Sequence, residues 1–387
     1  MLRIPVENLA SLKAINVLLR ALWAQLRRQF GGFAWQLTPR RDGPNQIIRF
    51  GWAQLGQCTA GTVEIAIHYR TKGVMDAVIF EPAAPLYEVY PDLDARLKEC
   101  VTEALKPHGS YNPVNGAIQV VLAPSVHLGH YHGKWWVVGA LSNNRSEVGV
   151  TVGAFDNIDA QHEVKLRLEN ILNLLAAWTN CSLKEQERDP NANALDDKLA
   201  DFWTDSDWID DRPTSDGRAL LERECIAFGD EIVAGRVATN DALLRSMRLF
   251  HQGLSVSNSS HTMGDLAAVL LVSALECISE GEPTTCTECG QAVYKISQRV
   301  IDLGVQHLGE NSAWLFKRHY AFRSKYLHSG RMIGTQPITG YSIPQLDPDA
   351  PEGCAMPLGA GQPYNLIEFV SYVIRGEIRN HVRDHGL

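Results

Sequence analysis

The segment KRHYAFRSKYLHSGRMIG, Lys317 to Gly334, concentrates residue types that handle phosphate. From Lys317 to Arg331 it holds five Lys or Arg (Lys317, Arg318, Arg323, Lys325, Arg331), two His and no acid, in a chain of formal net charge -8. Arginine offers phosphate oxygens a planar fork of donors, and histidine takes or gives a proton near neutral pH. Such a pair suits transphosphoesterification of RNA: a base removes the 2′-OH proton, that oxygen attacks the adjacent phosphorus, and Arg stabilises the charge that develops. Arg323 would hold the scissile phosphate and His328 would move the proton. Arg318, Lys325 and Arg331 would guide the backbone, with Ser324 and Tyr326 as supporting polar groups.

Spacing restricts this chemistry. On an unbroken helix Arg323 and His328 stand five residues and about 140° apart, on different faces. Either the helix stops before His328, which Ser329-Gly330 permits, or a second copy of the chain completes the site. One such His per chain supplies one proton-transfer group, so a symmetric dimer would supply both base and acid. The plainer alternative is a solvated basic helix end whose histidine is favoured by the C-terminal dipole.

A partner for the arginine is legible upstream. In MGDLAAVLLVSALECISE the stretch Leu266 to Ser279 has Glu276 as its only charge, among Ala, Val, Leu, Cys and Ile. A carboxylate beside a buried face needs a counterion or must neutralise. Arg299 and Arg323, on following helices, are the available ones, for a structural ion pair or for positioning a catalytic Arg.

Two further clusters bear on metals. CTECGQ carries Cys286 and Cys289 as a single knuckle, half of a zinc ribbon. Cys277, His307, Cys354 or a second chain's pair would have to complete it, for structural zinc; the alternatives are a redox-sensitive disulfide and two reduced thiols in a loop. HLGHYHGKWW places His127, His130 and His132 close together, with His130 and His132 on one face of a strand. A turn entering the strand KWWVVGAL accounts for the same residues, and Trp135 and Trp136 read as one core and one interface residue.

The elements that must position these groups follow from periodicity. Residues 1 to 30 place Leu9, Leu12, Ile15, Leu19, Leu22 and Leu26 at helical spacing, with a basic flank of Lys13, Arg20, Arg27 and Arg28. That helix is expected to pack on its own domain. From 45 to 155 come β-prone runs (QIIRFGWAQL, TVEIAIHYR, DAVIFE, GAIQVVLA, KWWVVGAL, SEVGVTVGAF), interrupted by a helix from Asp92 to Leu105 and followed by one from Glu163 to Trp178. This is an α+β pattern with a largely antiparallel sheet. Between Asp189 and Asp216 the chain has nine Asp and no Glu, against Lys198 and Arg212. Such a run is usually a solvated connector, although Phe202, Trp203 and Trp208 would let part of it dock as a latch. After residue 217 five or six helices with short connections make an all-α bundle. The expected division is 1–188, 189–216 and 217–387.

Composition bounds the whole. At 387 residues and 45% hydrophobic the chain can bury two or three cores. Its acidity argues against clamping nucleic acid over the whole surface. Eight scattered Cys, no secretory leader pattern and no run of about 18 apolar residues point to a reducing, cytoplasmic setting without a membrane span.

The order SALECISE, YKISQRVIDL, HYAFRSKYLHSG, within Asp241 to His381, resembles the Apea-like branch of the HEPN domains, small helical bundles. Added to the α+β N-terminal domain read from periodicity, the resemblance makes the fold class α+β followed by an all-α HEPN-type bundle, and it implies that this bundle dimerises and cuts RNA without a metal through an R-x4-6-H signature. Arg323 and His328 fall on that signature, Ser324 on the polar position after the Arg, and Glu276 and Arg299 on the two upstream elements. Many such ribonucleases carry Asn, Asp or His where Ser324 stands, and members with degraded motifs only bind. The resemblance further implies antiphage defence or abortive infection, with the N-terminal domain as sensor of an unknown trigger ligand or protein.

Overall fold

The structure, a computed structural model, describes residues 1–9, 11–32, 35–42, 46–70, 74–106, 112–195, 198–209, 212–238, 241–259, 264–279, 281, 284–285, 292–293, 295, 296–329, 343–345, 353–355 and 366–387. Cys286, Cys289 and Arg331 lie outside these residues. The chain forms two compact units, 1–114 with 153–163, and 115–152 with 164–387.

The first unit contains β1 (Leu2–Leu9), α1 (Leu12–Phe30), β2 (Trp35–Asp42), β3 (Gln46–Gln54), β4 (Thr62–Arg70), β5 (Val74–Pro82), α2 (Leu86–Val89) and α3 (Leu93–Leu105). Its sheet runs β1-β5-β4-β3-β2, antiparallel throughout. The helix expected from residue 1 begins only at Leu12, where Ser11 accepts a hydrogen bond from the Ala14 N–H. Before it, Leu2, Ile4 and Val6 alternate with Arg3 and Pro5, the period of a strand, and Ile4 pairs with Val78. Ile15, Leu18, Leu22 and Leu26 of α1 and Leu93, Leu97 and Val101 of α3 bury one face against Val63, Ile65, Val78 and Phe80. Each such side chain contributes about 1.5–3 kcal/mol. The basic flank of α1 is held by acids: Arg20 bonds Asp159 at 2.8 Å and Arg27 bonds Asp156 at 2.6 Å.

The second unit contains β6 (Asn112–Ala123) from Asn115 on, then β7 (His127–Leu128), β8 (Tyr131–His132), β9 (Trp136–Leu141), β10 (Arg145–Ala154) up to Val152, α4 (Asn157–Thr179) from Val164 on, and β11 (Ser182–Gln186). Its sheet runs β11-β6-β10-β9-β8. Next come β12 (Thr214–Ser215), β13 (Arg218–Ala219), α5 (Arg223–Val233), α6 (Ala242–Ser259), α7 (Gly264–Ile278), β14 (Thr284–Thr285), β15 (Ala292–Val293), α8 (Ile296–Leu308), α9 (Ala313–Ser329), β16 (Ile343–Gln345), β17 (Gly353–Ala355) and α10 (Leu366–Asp384). The N-terminal part is rich in sheet and the C-terminal part is helical. α10 packs against α5, α6, α7 and α8 through Leu366, Val370, Val373, Ile374 and Ile378, all fully buried. Gly304 of α8 lets the Phe316 ring of α9 lie against the helix backbone, where a Cβ would have no room.

The two units do not divide at 189–216. That segment lies within the second unit, fastened by main-chain bonds: Leu195 N–H to Ala140 O (3.0 Å), Ala200 N–H to His130 O (2.9 Å) and Trp203 N–H to Leu221 O (2.9 Å). Trp208 is its anchor. The ring is buried, with the Arg375 guanidinium carbon 3.3 Å from its centroid. Its Nε1–H donates to Glu222 at 3.3 Å, and its carbonyl accepts from Arg375 at 3.0 Å. Glu222 also receives both donors of Arg379, at 2.8 and 2.7 Å. Burial lowers the Arg375 pKa to about 9.

Candidate functional site on α7 and α9

Apolar periodicity fixes how α9 sits. Leu315, Phe316 and His319 are buried, which turns Arg323 inward. Arg323 donates to the Glu276 carboxylate of α7 at 2.6 Å, and the Tyr320 hydroxyl, one turn earlier, bonds the same carboxylate. The Arg323 guanidinium carbon lies 6.0 Å from the Tyr320 ring centroid. Burial raises the Glu276 pKa, while the Arg323 charge and the Tyr320 bond oppose the shift. Of the two expected counterions Arg323 is therefore the one that pairs with Glu276. Arg299, on α8, donates instead to the Gly281 carbonyl. Tyr320 was not singled out by the sequence, although its place three residues before Arg323 puts both on neighbouring positions of one face.

His328 is placed differently. α9 continues as helix through it to Ser329, so the helix does not stop early. His328 is exposed and, by helical geometry, about 140° around the axis from Arg323. Within one chain the two groups do not share a face. Lys325 is exposed; Arg318, Ser324 and Tyr326 are half-buried, Arg318 lying 5.4 Å from the Phe322 ring centroid. His319, on the inner face, has its pKa lowered to about 4 by burial and, secondarily, by Arg318.

The metal candidates separate as well. His130 and His132 meet with Nε2 atoms 2.8 Å apart, whereas the His127 ring bonds the Arg145 carbonyl at 3.3 Å. His307 bonds Glu377 at 2.6 Å. Among the described residues no group of three or more His, Cys, Asp or Glu is disposed to hold a metal. Cys58, Cys100, Cys181 and Cys225 form no disulfide. Trp136 is a core residue whose Nε1–H donates to Ile226 O at 3.2 Å; Trp135 is half-buried. Among the described residues no helix is long and apolar enough to cross a membrane.

Comparison of the chain with family models, with curated proteins and with solved structures gives no match.

Proposed function

We propose that the helical C-terminal part is a HEPN-type, metal-independent RNA endonuclease acting as a homodimer, with the N-terminal α+β part as sensor or regulator in antiphage defence. The observation that carries this reading is the bond between Arg323 and Glu276. The arginine of the R-x4-H segment and the glutamate of the ALE element are 47 residues apart and meet at 2.6 Å, so the two elements that prompted the resemblance are joined in space. Arg323 is thereby oriented, and the second protomer would bring a His328 to it. Ser324, Tyr326 and Arg299 support the site; Arg318, Lys325 and Arg331 would draw in the RNA. Each cut would leave a 2′,3′-cyclic phosphate and a 5′-hydroxyl, the 2′-oxygen displacing the leaving 5′-oxygen, which takes the proton from the acid.

A second reading, a non-catalytic module that binds RNA or a partner protein, is favoured by the opposed faces of Arg323 and His328. Incubation of the purified full chain with labelled RNA in EDTA separates the two. The enzyme predicts fragments ending in 2′,3′-cyclic phosphate that vanish in both Arg323→Lys and His328→Ala. Binding of RNA by the full chain without fragments, also in the presence of infected-cell extract, would favour the module. Metal analysis of the same preparation tests for structural zinc at Cys286 and Cys289.

A further inference from the structure

The outward face of α9 holds a set of residues that its inner face does not explain. At about 100° per residue, Trp314, Lys317, Arg318, Ala321, Lys325 and His328 fall within an arc of about 100°, opposite Arg323. Trp314 is 61% exposed; Lys317, Ala321, Lys325 and His328 are exposed and Arg318 is half-buried. The row extends about 21 Å, from the indole at one end to the imidazole at the other. No Asp or Glu occurs anywhere in α9, although acids outnumber Lys and Arg by 44 to 36 in the chain.

We propose that this face is a track for single-stranded RNA, on which Trp314 stacks one base while Lys317, Arg318 and Lys325 meet the phosphates leading to His328. The inference rests on the RNA reading above and adds the strandedness, the direction and a base-contacting residue. Charge complementarity selects the occupant: three cations and a histidine flank a single large apolar side chain. A protein contact would instead centre on clustered apolar groups with charge at the rim. The other exposed large side chain of the helix, Leu327, lies about 140° from Trp314 around the axis and does not extend an apolar patch. An indole open to solvent stacks on an unpaired base whatever its identity. In a duplex the base faces are already stacked, and the deep, narrow major groove of A-form RNA excludes side chains.

Fluorescence anisotropy of the full chain tests this with a labelled ten-nucleotide RNA, 2′-O-methylated to prevent cutting, as a single strand and as a duplex. Trp314→Ala should weaken single-strand binding about tenfold. Trp314→Phe should keep it within about threefold, and the wild type should prefer single strand to duplex. Replacing Lys317 and Lys325 by Gln should reduce the slope of log affinity against log salt by about 1.4. Equal affinity for Trp314→Ala and wild type, or equal affinity for single strand and duplex, would overturn the track. So would conversion of a dimer to monomer by Trp314→Ala in light scattering, which would place the indole in a protein interface. Cutting of unmodified RNA in a chain indifferent to Trp314→Ala leaves the nuclease standing and the track refuted. Trp314-dependent binding without cutting does the reverse, and no binding of either probe ends both.

Discussion

Arg323 and Glu276 bridge α9 to α7 at 2.6 Å with side chains only 22% and 16% exposed. The arginine of the signature is thus also part of the packing between helices. Truncating it leaves a desolvated carboxylate with, among the described residues, Tyr320 as its remaining partner. Arg323→Ala should cost about 1–3 kcal/mol in urea denaturation. In a double-mutant cycle with Glu276→Ala the coupling should exceed about 0.5 kcal/mol. A coupling near zero would mean that the pair does no structural work, and it would remove the argument that Glu276 orients Arg323.

His328 should behave oppositely. It is exposed near the end of α9, so His328→Ala should change stability by no more than about 0.5 kcal/mol. Any loss of RNA cleavage in that variant therefore reports on chemistry, whereas loss in Arg323→Ala mixes chemistry with folding. Thermal melts of both variants beside the cleavage assay make the distinction.

His319 predicts an acid sensitivity. Its folded-state pKa of about 4 lies below the ordinary 6.5. Between those values the unfolded chain binds a proton that the native chain refuses, so stability falls as pH drops from about 6.5 to 4. The full effect of this one group is about 3 kcal/mol. His319→Leu should flatten that part of the stability profile measured by urea unfolding at several pH values. An unchanged profile would show that the imidazole takes its proton in the folded protein.

Trp208 and Glu222 tie the acidic segment to the helices. Trp208→Ala removes a buried ring, its bond to Glu222 and the surface on which Arg375 lies. A loss of about 3–5 kcal/mol is expected, with new cleavage between 198 and 209 under limited proteolysis. Glu222→Ala strands the partly buried Arg379 and should cost a comparable amount. Wild-type resistance in either variant would mean that the segment is held by its main-chain bonds alone.

Local pattern made much of this fold legible. TVEIAIHYR is β4 from end to end, and the helical periodicity after residue 217 marks α6 to α10 to within a few residues. Strand β1 was hidden because Leu9 and Leu12 continue the period of α1 backwards, and Pro5 interrupts the alternation that would have betrayed it. β2 is not legible because Pro39, Arg40 and Arg41 give it the composition of a loop. The two units are not legible for a different reason: each is assembled from segments far apart in sequence, which no local period reports. At the candidate site, the isolated charge of Glu276 in an apolar helix announced a partner, and Arg323 answers it. The orientation of His328 depends on whether α9 ends one turn earlier, and Ser329-Gly330 permits a stop without imposing one.

The helices are also stitched to the sheet of their own unit, and this bears on how the protein can be dissected. Half-buried His251 of α6 accepts from the Leu183 N–H at 3.0 Å and bonds Asn173 at 2.9 Å. Asn258 donates to Ser182 at 2.8 Å, and β13 pairs in parallel with β7. A recombinant fragment starting at residue 217 would strand those groups and lay bare the seam they seal. Inactivity of such a fragment would report a torn core before it reported anything about regulation, and internal excision that keeps both 115–152 and 164–216 is the cut that respects the joinery.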